Sequence, residues 1–253
     1  MSTKQKTALM KPLSSVVVIG YVWPEPNSSA AGSRMLQLID FFKQRTQRVI
    51  FASPAQLSDH RVELASLDVE EKSIQLNCSS FDDWISQVDP ALVLFDRFMM
   101  EEQFGWRVEQ QCPECIRILD TEDLHSLREA RHQQLKTAVK QKLEINTDFD
   151  DLTKLPQLMS SLDICQREIA SIYRCDLTLM ISEFEMQLLE KHYQLPAHIL
   201  MHLPFMLDTH SVREQVGYSD REHFVTIGNF RHAPNWDSVL WLKTTLWPKI
   251  RKI

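Results

Sequence analysis

Short apolar runs alternate with segments of helical periodicity along most of this 253-residue chain. The run Val16–Gly20 is rich in β-branched residues, which is typical of a strand buried on both faces of a parallel sheet. Comparable runs cover residues 48–52, 91–95, 115–119 and 177–181. Between the first two runs, apolar residues recur at the three- and four-residue spacing of a helix: Met35, Leu38, Ile39 and Phe42. This alternation predicts an α/β fold in which a parallel sheet carries helices on both faces.

Several predicted helices begin at recognisable start signals. A long loop from Tyr21 to Ala31 separates the first strand from a helix that opens at Gly32-Ser33-Arg34. Ser80 is followed by a carboxylate three residues later, and Ser182-Glu183-Phe184-Glu185 is a capping box. The sequence therefore predicts helices that are capped by Ser80 and by Ser182.

The same patterns predict how the chain is organised. Residues 1–12 are expected to be a flexible tail, and residues 13–220 a first domain. A charged, mostly helical insert at about 123–160 is either a solvated arm or a partner-binding element. Phe224–Ile227 reads as a strand, and Asn235 is expected to cap the helix after it. One strand and one helix cannot bury their own apolar faces. We therefore expect residues 221–253 to be the first β-α unit of an incomplete second α/β domain.

The composition of the chain argues against several classes of protein. The net charge of −6 argues against a nucleic-acid surface, which needs clustered Lys and Arg. No apolar run approaches the roughly 18 residues of a membrane span, and the first residues lack a signal-peptide core. Five widely spread cysteines indicate free thiols in a reducing, cytoplasmic compartment. Cys112 and Cys115 have redox spacing but precede a strand, and no second pair completes a zinc site.

The candidate functional residues directly follow the strands. In open parallel sheets, ligands bind at the carboxyl ends of the strands. Small residues before Arg34 would let an anion reach the amides at the start of a helix, although an ordinary capped loop explains them equally well. Asp96 and Arg97 follow the run at residues 91–95, and Asp120–His125 follows the run at residues 115–119. The carboxylates and imidazole of Asp120–His125 could bind sugar hydroxyls, hold a metal or transfer protons. Helix capping by Asp120 or Thr121 explains some of them, and it is favoured over metal binding.

Four segments resemble a known family. The run WPEPNSSAAGSR at residues 23–34 resembles the opening of group-1-type (family 4-like) nucleotide-sugar glycosyltransferases of the GT-B fold. The runs DTEDLH at 120–125 and ISEFE at 181–185 resemble later parts of that N-terminal domain. The run IGNFRHAPNWDS at 227–238 resembles the start of the C-terminal domain. The four segments occur in the expected order and span most of the chain.

The resemblance implies two Rossmann-like domains that face each other across a cleft, with the acceptor held mainly by the first and the nucleotide sugar mainly by the second. It implies that Gly32, Ser33 and Arg231 contact the donor diphosphate, although the family's more common arginine position is Asn229 here. It places His125 and Asp123 at the catalytic centre. It also implies that a third group of residues binds the acceptor or the sugar: Asn27, Arg34, Asp96, Arg97 and Glu183.

The implied chemistry needs neither a metal nor a cofactor, because helix N-terminal amides and an arginine stabilise the diphosphate leaving group. The expected partners are a nucleotide sugar and a glycan, lipid or small-molecule acceptor, and exposed apolar residues on the last helix suggest self-association. With a single complete domain, we expect this polypeptide alone to have little transferase activity. An epimerase of the same fold and a non-catalytic interaction module remain open. A dinucleotide oxidoreductase is disfavoured, because its glycine-rich turn is missing after Ile19.

Overall fold

A computed structural model describes residues 14–140, 154–206, 217–230 and 232–252. Seven strands form one sheet: β1 Val16–Ile19, β2 Val49–Ser53, β3 Glu70–Ser73, β4 Leu92–Asp96, β5 Ile116–Asp120, β6 Leu177–Met180 and β7 Leu200–His202. All neighbouring strands are parallel, and their order is β3-β2-β1-β4-β5-β6-β7. The chain thus winds outward in one direction from β1 to β3, and in the other from β4 to β7. The point where the order reverses lies between β1 and β4, where ligands bind in doubly wound sheets.

The helices within the described ranges connect these strands and continue beyond them: α1 Ala30–Lys43, α2 Ser80–Val88, α3 Phe98–Gln111, α4 His125–Lys140, α5 Leu155–Ser160, α6 Asp163–Arg174, α7 Glu183–Tyr193, α8 Ala233–Trp241 and α9 Trp247–Ile250. Single-turn helices occur at Leu64–Leu67, Ala197–Ile199 and Tyr218–Asp220. A π-helical segment, Leu242–Leu246, joins α8 to α9.

Two apolar cores lie on opposite faces of the sheet. Val16 and Val18 of β1 pack with α1, whereas Val17 and Ile19 face a larger cluster that includes Phe104 of α3. All four residues of β1 are fully buried. Successive side chains of a strand point to opposite faces, so a continuous apolar strand must be covered on both sides. The prediction of a Rossmann-like parallel sheet with helices on both faces is confirmed.

The two edge strands are the parts of the sheet that the apolar pattern does not reveal. The β3 strand, Glu70–Ser73, has no buried residue, and it pairs with β2 on one side only. Charged side chains at a sheet edge discourage pairing with another chain. The predicted cap at Ser80 is wrong, because Ser80 is already the first residue of α2 and Ser79 occupies the cap position.

Two details predicted for the residues beyond 216, a strand and a helix cap, are not found among the described residues. Phe224–Ile227 belongs to no strand, since no described strand lies beside it to supply backbone partners, and its side chains are exposed. Asn235 lies inside α8, where its side-chain amide donates to the carbonyl oxygen of Asn229 instead of capping. As expected, large apolar side chains of α8 are exposed: Trp236, Leu240 and Trp241. The predicted tail 1–12 and part of the predicted insert lie outside the described residues.

Candidate functional site

The loop after β1 crosses the carboxyl edge of the sheet and is held on both sides. The backbone N–H of Tyr21 donates to Oδ2 of Asp96, at the end of β4, over 3.0 Å. The indole Nε1 of the buried Trp23 donates to the carbonyl oxygen of Ala55, just beyond β2, over 2.9 Å. Because the loop is tied to the strands flanking β1, it forms one wall of the crevice where the strand order reverses.

The start of α1 packs tightly against this loop. Ser29 caps the helix, and its Oγ accepts from the N–H of Gly32 over 3.0 Å. A Cβ added at Gly32 would lie 2.4 Å from the carbonyl carbon of Glu25, so only glycine fits there. The hydroxyl of Ser33 donates to the carbonyl oxygen of Pro26. Gly32 and Ser33 therefore serve the contact between loop and helix, and the first turn of α1 carries no acidic residue that would repel an anion.

A small cavity of about 60 Å³ lies at this crevice. It is lined by Val22, Trp23, Pro24, Glu25, Ser29, Ala31, Gly32, Met35, Asp96, Arg97 and Glu122. These residues come from the ends of β1, β4 and β5 and from the start of α1. Ligand pockets for whole small molecules usually enclose about 300 Å³ or more. The cavity therefore matches one polar group of a ligand better than an entire nucleotide sugar.

Asp96, Arg97 and Glu122 form the charged part of the cavity. Nε of Arg97 lies 2.9 Å from Oε2 of Glu122 and 3.6 Å from Oδ1 of Asp96. Oδ1 of Asp96 is buried, and it has no hydrogen-bond partner among the described residues. Burial raises the pKa of Asp96 to about 7, against the opposing effect of Arg97, and it also raises the pKa of Glu122. A carboxyl group that titrates near neutrality in a crevice is typical of functional sites.

Both Arg97 and Glu122 have positive φ angles, of 73° and 59°. Such values are uncommon for residues other than glycine, and they cluster at functional sites. The N–H of Arg97 donates to the carbonyl oxygen of Asp120 over 2.8 Å, which ties the end of β4 to the end of β5. The unusual backbone therefore helps to turn both side chains into the same crevice.

Arg34 was expected to contact acceptor or sugar, but it is fully buried. Its guanidinium forms a fork with Asp120, with Nη2 2.9 Å from Oδ1 and Nε 3.1 Å from Oδ2. Its Nη1 donates to the carbonyl oxygen of Leu203 over 2.8 Å. Burial raises the pKa of the Asp120 carboxyl, and Arg34 counteracts that shift. Arg34 thus joins α1, β5 and the segment after β7, and its guanidinium is not accessible to a ligand in this structure.

Asp123 lies on the loop after β5, and His125 is the first residue of α4; neither lines the cavity. The imidazole of His125 packs edge-on against Phe98 at 5.5 Å, and its Nδ1 lies 3.3 Å from the carbonyl oxygen of Asp123. Burial lowers the pKa of His125 to about 4, with Arg128 adding to the effect. The ring is therefore neutral near pH 7, so it can exchange hydrogen bonds but carries no positive charge.

The remaining predicted site residues are more scattered. Asn27 is exposed on the loop before α1, and Glu183 is exposed in the first turn of α7. Arg231 lies outside the described residues. The structure therefore brings Gly32, Asp96 and Arg97 around one cavity, and adds Glu122. The position of Glu122 directly after the fifth strand was the one signal that pointed to it.

Within the described residues, no group of three or more His, Cys, Asp or Glu side chains is arranged to hold a metal ion. None of the helices in this part of the chain has the length and apolarity that crossing a membrane requires.

Comparisons with known proteins show a structural likeness. No family model and no curated protein sequence matches the chain. Among solved structures, the apo form of the lipopolysaccharide outer core galactosyltransferase WaaB is similar over 82% of this chain, with a TM-score of 0.49 and 9% identity. The match covers 50% of that protein, so this chain spans about half of its length.

Proposed function

We propose that this chain is the acceptor-side part of a glycosyltransferase-like protein that moves a sugar from a nucleotide-sugar donor to an acceptor. The observation that carries the proposal is that two different polar surfaces lie together at the crevice where the strand order reverses. One is the start of α1, which has no acidic residue in its first turn. The other is the buried Asp96 carboxylate, with an oxygen that has no hydrogen-bond partner among the described residues.

Each surface matches one half of a sugar diphosphate. The amides and the positive dipole end of α1 favour an anion, and Gly32 keeps the loop close to that helix. The Oγ of Ser29 accepts a hydrogen bond from the N–H of Gly32, whereas the amides of Ala30 and Ala31 donate to no described residue. Phosphate oxygens at these amides would have their negative charge stabilised as the sugar–oxygen bond breaks.

Asp96 suits the hydroxyl side of the reaction. A carboxylate oxygen without a partner accepts a hydrogen bond from a hydroxyl group, and with a pKa of about 7 the group is both available and basic enough to take a proton near neutral pH. His125, whose pKa is about 4, is a weaker base and contributes hydrogen bonds from a neutral ring. We assign Asp96 to the acceptor hydroxyl, with Arg97 and Glu122 orienting it, and His125 with Asp123 to the neighbouring sugar.

Binding of diphosphates tests the proposal. The intact chain is titrated with UDP, GDP, ADP and inorganic pyrophosphate while amide resonances are followed by NMR. We expect saturable shifts at Ala30 and Ala31. We also expect Gly32→Ala to weaken binding about tenfold, equivalent to about 1.4 kcal/mol, because its new Cβ forces the loop away from α1. Gly217→Ala is the matched control, since its Cβ would meet only flexible side-chain atoms.

Two results would contradict the proposal: no binding of any of these diphosphates, or binding that Gly32→Ala and Gly217→Ala leave equally strong. Where turnover of UDP-, GDP- or ADP-linked hexoses is detected, product analysis separates the two enzyme classes. Transfer releases the free diphosphate, whereas epimerisation leaves the sugar attached to its nucleotide.

A further inference from the structure

The N-terminus of α4 is capped by side chains from distant helices. The N–H groups of His125 and Ser126 donate to the two carboxylate oxygens of Glu168 over 2.9 and 3.1 Å. The hydroxyl of Ser126 also donates to Glu168, and the N–H of Leu124 donates to Glu185 over 3.3 Å. The first amides of this helix are therefore satisfied by carboxylates, which also complement its dipole.

These carboxylates are neither local nor exposed. Glu168 belongs to α6, and Glu185 belongs to α7. Glu168 is only 1% exposed, and burial raises its pKa, with hydrogen bonds from Ser126 counteracting the shift. Helix caps usually come from a Ser, Thr, Asp or Asn next to the helix. A cap supplied across the fold instead fixes where α4 begins relative to α6 and α7.

The geometry points to Glu168 as a positioning residue for His125, with Glu185 supporting the same loop; this inference rests on the proposed role of His125. Oε1 of Glu168 holds the backbone N–H of His125 and lies 3.8 Å from its Nδ1. The ring is thereby kept between Phe98 and Asp123, beside the crevice. The same carboxylates already accept hydrogen bonds from the first amides of α4. An incoming phosphate is therefore directed to the amides at the start of α1.

Because of the charged groups around His125, the direction in which its pKa changes tests the inference. Asp123 and Glu168 lie near its ring, and Arg128 and Arg97 act on it from a distance. Removing the charge of Glu168 without moving the loop takes away a negative neighbour, which lowers the pKa of His125 further. Releasing the loop instead exposes the ring to water and raises the pKa toward its ordinary value of 6.5.

The experiment follows the ring protons of His125 by NMR in the intact chain from about pH 5 to about pH 8. The signal is assigned among the nine histidines by its loss in His125→Gln. We expect no titration of His125 in the wild type over this range, and a rise of its pKa toward 6.5 in Glu168→Gln. Glu101→Gln is the matched control: Glu101 is equally buried, but its carboxylate accepts from Arg174 and not from the amides of His125 and Ser126.

A pKa of His125 that is unchanged or lower in folded Glu168→Gln overturns the inference. If that variant does not fold, Glu168→Asp replaces it, because its shorter side chain keeps the charge but withdraws from the amides of His125 and Ser126; the same rise is then expected, and its absence is equally decisive. The titration needs no ligand. Diphosphate binding at α1 can therefore persist when this inference fails, and can be absent when it holds.

Discussion

The buried ion pair between Arg34 and Asp120 leads to the largest stability effect that we predict. Both side chains are 0% exposed, and the guanidinium also donates to the carbonyl oxygen of Leu203. Replacing Arg34 by Met removes the cation and leaves the Asp120 carboxylate uncompensated in the interior. Breaking one partner of a buried pair typically costs about 3–5 kcal/mol. Since domains of this kind are stable by about 5–15 kcal/mol, Arg34→Met should lose a large part of the total.

A second pair with the same kind of fork provides the control. Nε and Nη2 of Arg48 each lie 2.6 Å from a carboxylate oxygen of Glu70, but the two side chains are 45% and 54% exposed. Pairs in contact with water contribute about 0–1 kcal/mol, so Arg48→Met should be nearly neutral. Because the fork is at least as short in the exposed pair, a larger loss at Arg34 is attributed to burial and not to closer hydrogen bonds.

Urea unfolding at neutral pH, followed by circular dichroism, measures both changes. The double variant Arg34→Met/Asp120→Asn should lose less than the sum of the two single variants, because it no longer leaves a lone buried charge. The reasoning is refuted if Arg34→Met costs no more than Arg48→Met, or if the two single changes at the buried pair are simply additive.

Two further predictions concern the same end of the sheet. Ser29→Ala should cost about 1 kcal/mol in urea unfolding, because Ser29 caps α1, whereas Ser79→Ala, at a cap position without a side-chain bond, should cost almost nothing; equal losses would contradict this. The pKa of Asp96 is about 7 in the folded state against 3.8 ordinarily, so its ionised form destabilises the fold as the pH rises through that window. The stability of Asp96→Asn relative to the wild type should therefore increase between about pH 4 and about pH 8, by at most about 4 kcal/mol. A difference between the two proteins that does not change with pH would count against it.

The central strands could be predicted from the sequence because they are buried on both faces. A strand such as Val16–Ile19 needs an apolar residue at every position, and few other structures show that pattern. The edge strand Glu70–Ser73 lacks the pattern, since a solvent-facing edge needs no apolar side chains. It forms only because β2 offers it backbone partners. A local pattern cannot show such a partner.

The same limit of local patterns decides which residues of the candidate site could be predicted from the sequence. Asp96 and Arg97 were found because the carboxyl ends of parallel strands meet at one edge, so position alone predicts proximity. Arg34 also stands at the right place, but its partner Asp120 lies 86 residues away. Only the three-dimensional structure shows that this pair turns inward. Glu168 gave no signal at all, because a cap from another helix leaves no mark near the helix that it caps.

The crevice therefore has two ends of different character, and this division limits what it can bind. At the α1 end, backbone amides and a helix dipole favour an anion. At the other end, Asp96 and Glu122 share the single guanidinium of Arg97, and burial disfavours ionising both carboxylates at once. A second phosphate at that end would meet negative charge, whereas a hydroxyl group would find Oδ1 of Asp96, which has no hydrogen-bond partner among the described residues. An anion beside hydroxyl groups is the arrangement of a sugar that is joined to a phosphate or diphosphate.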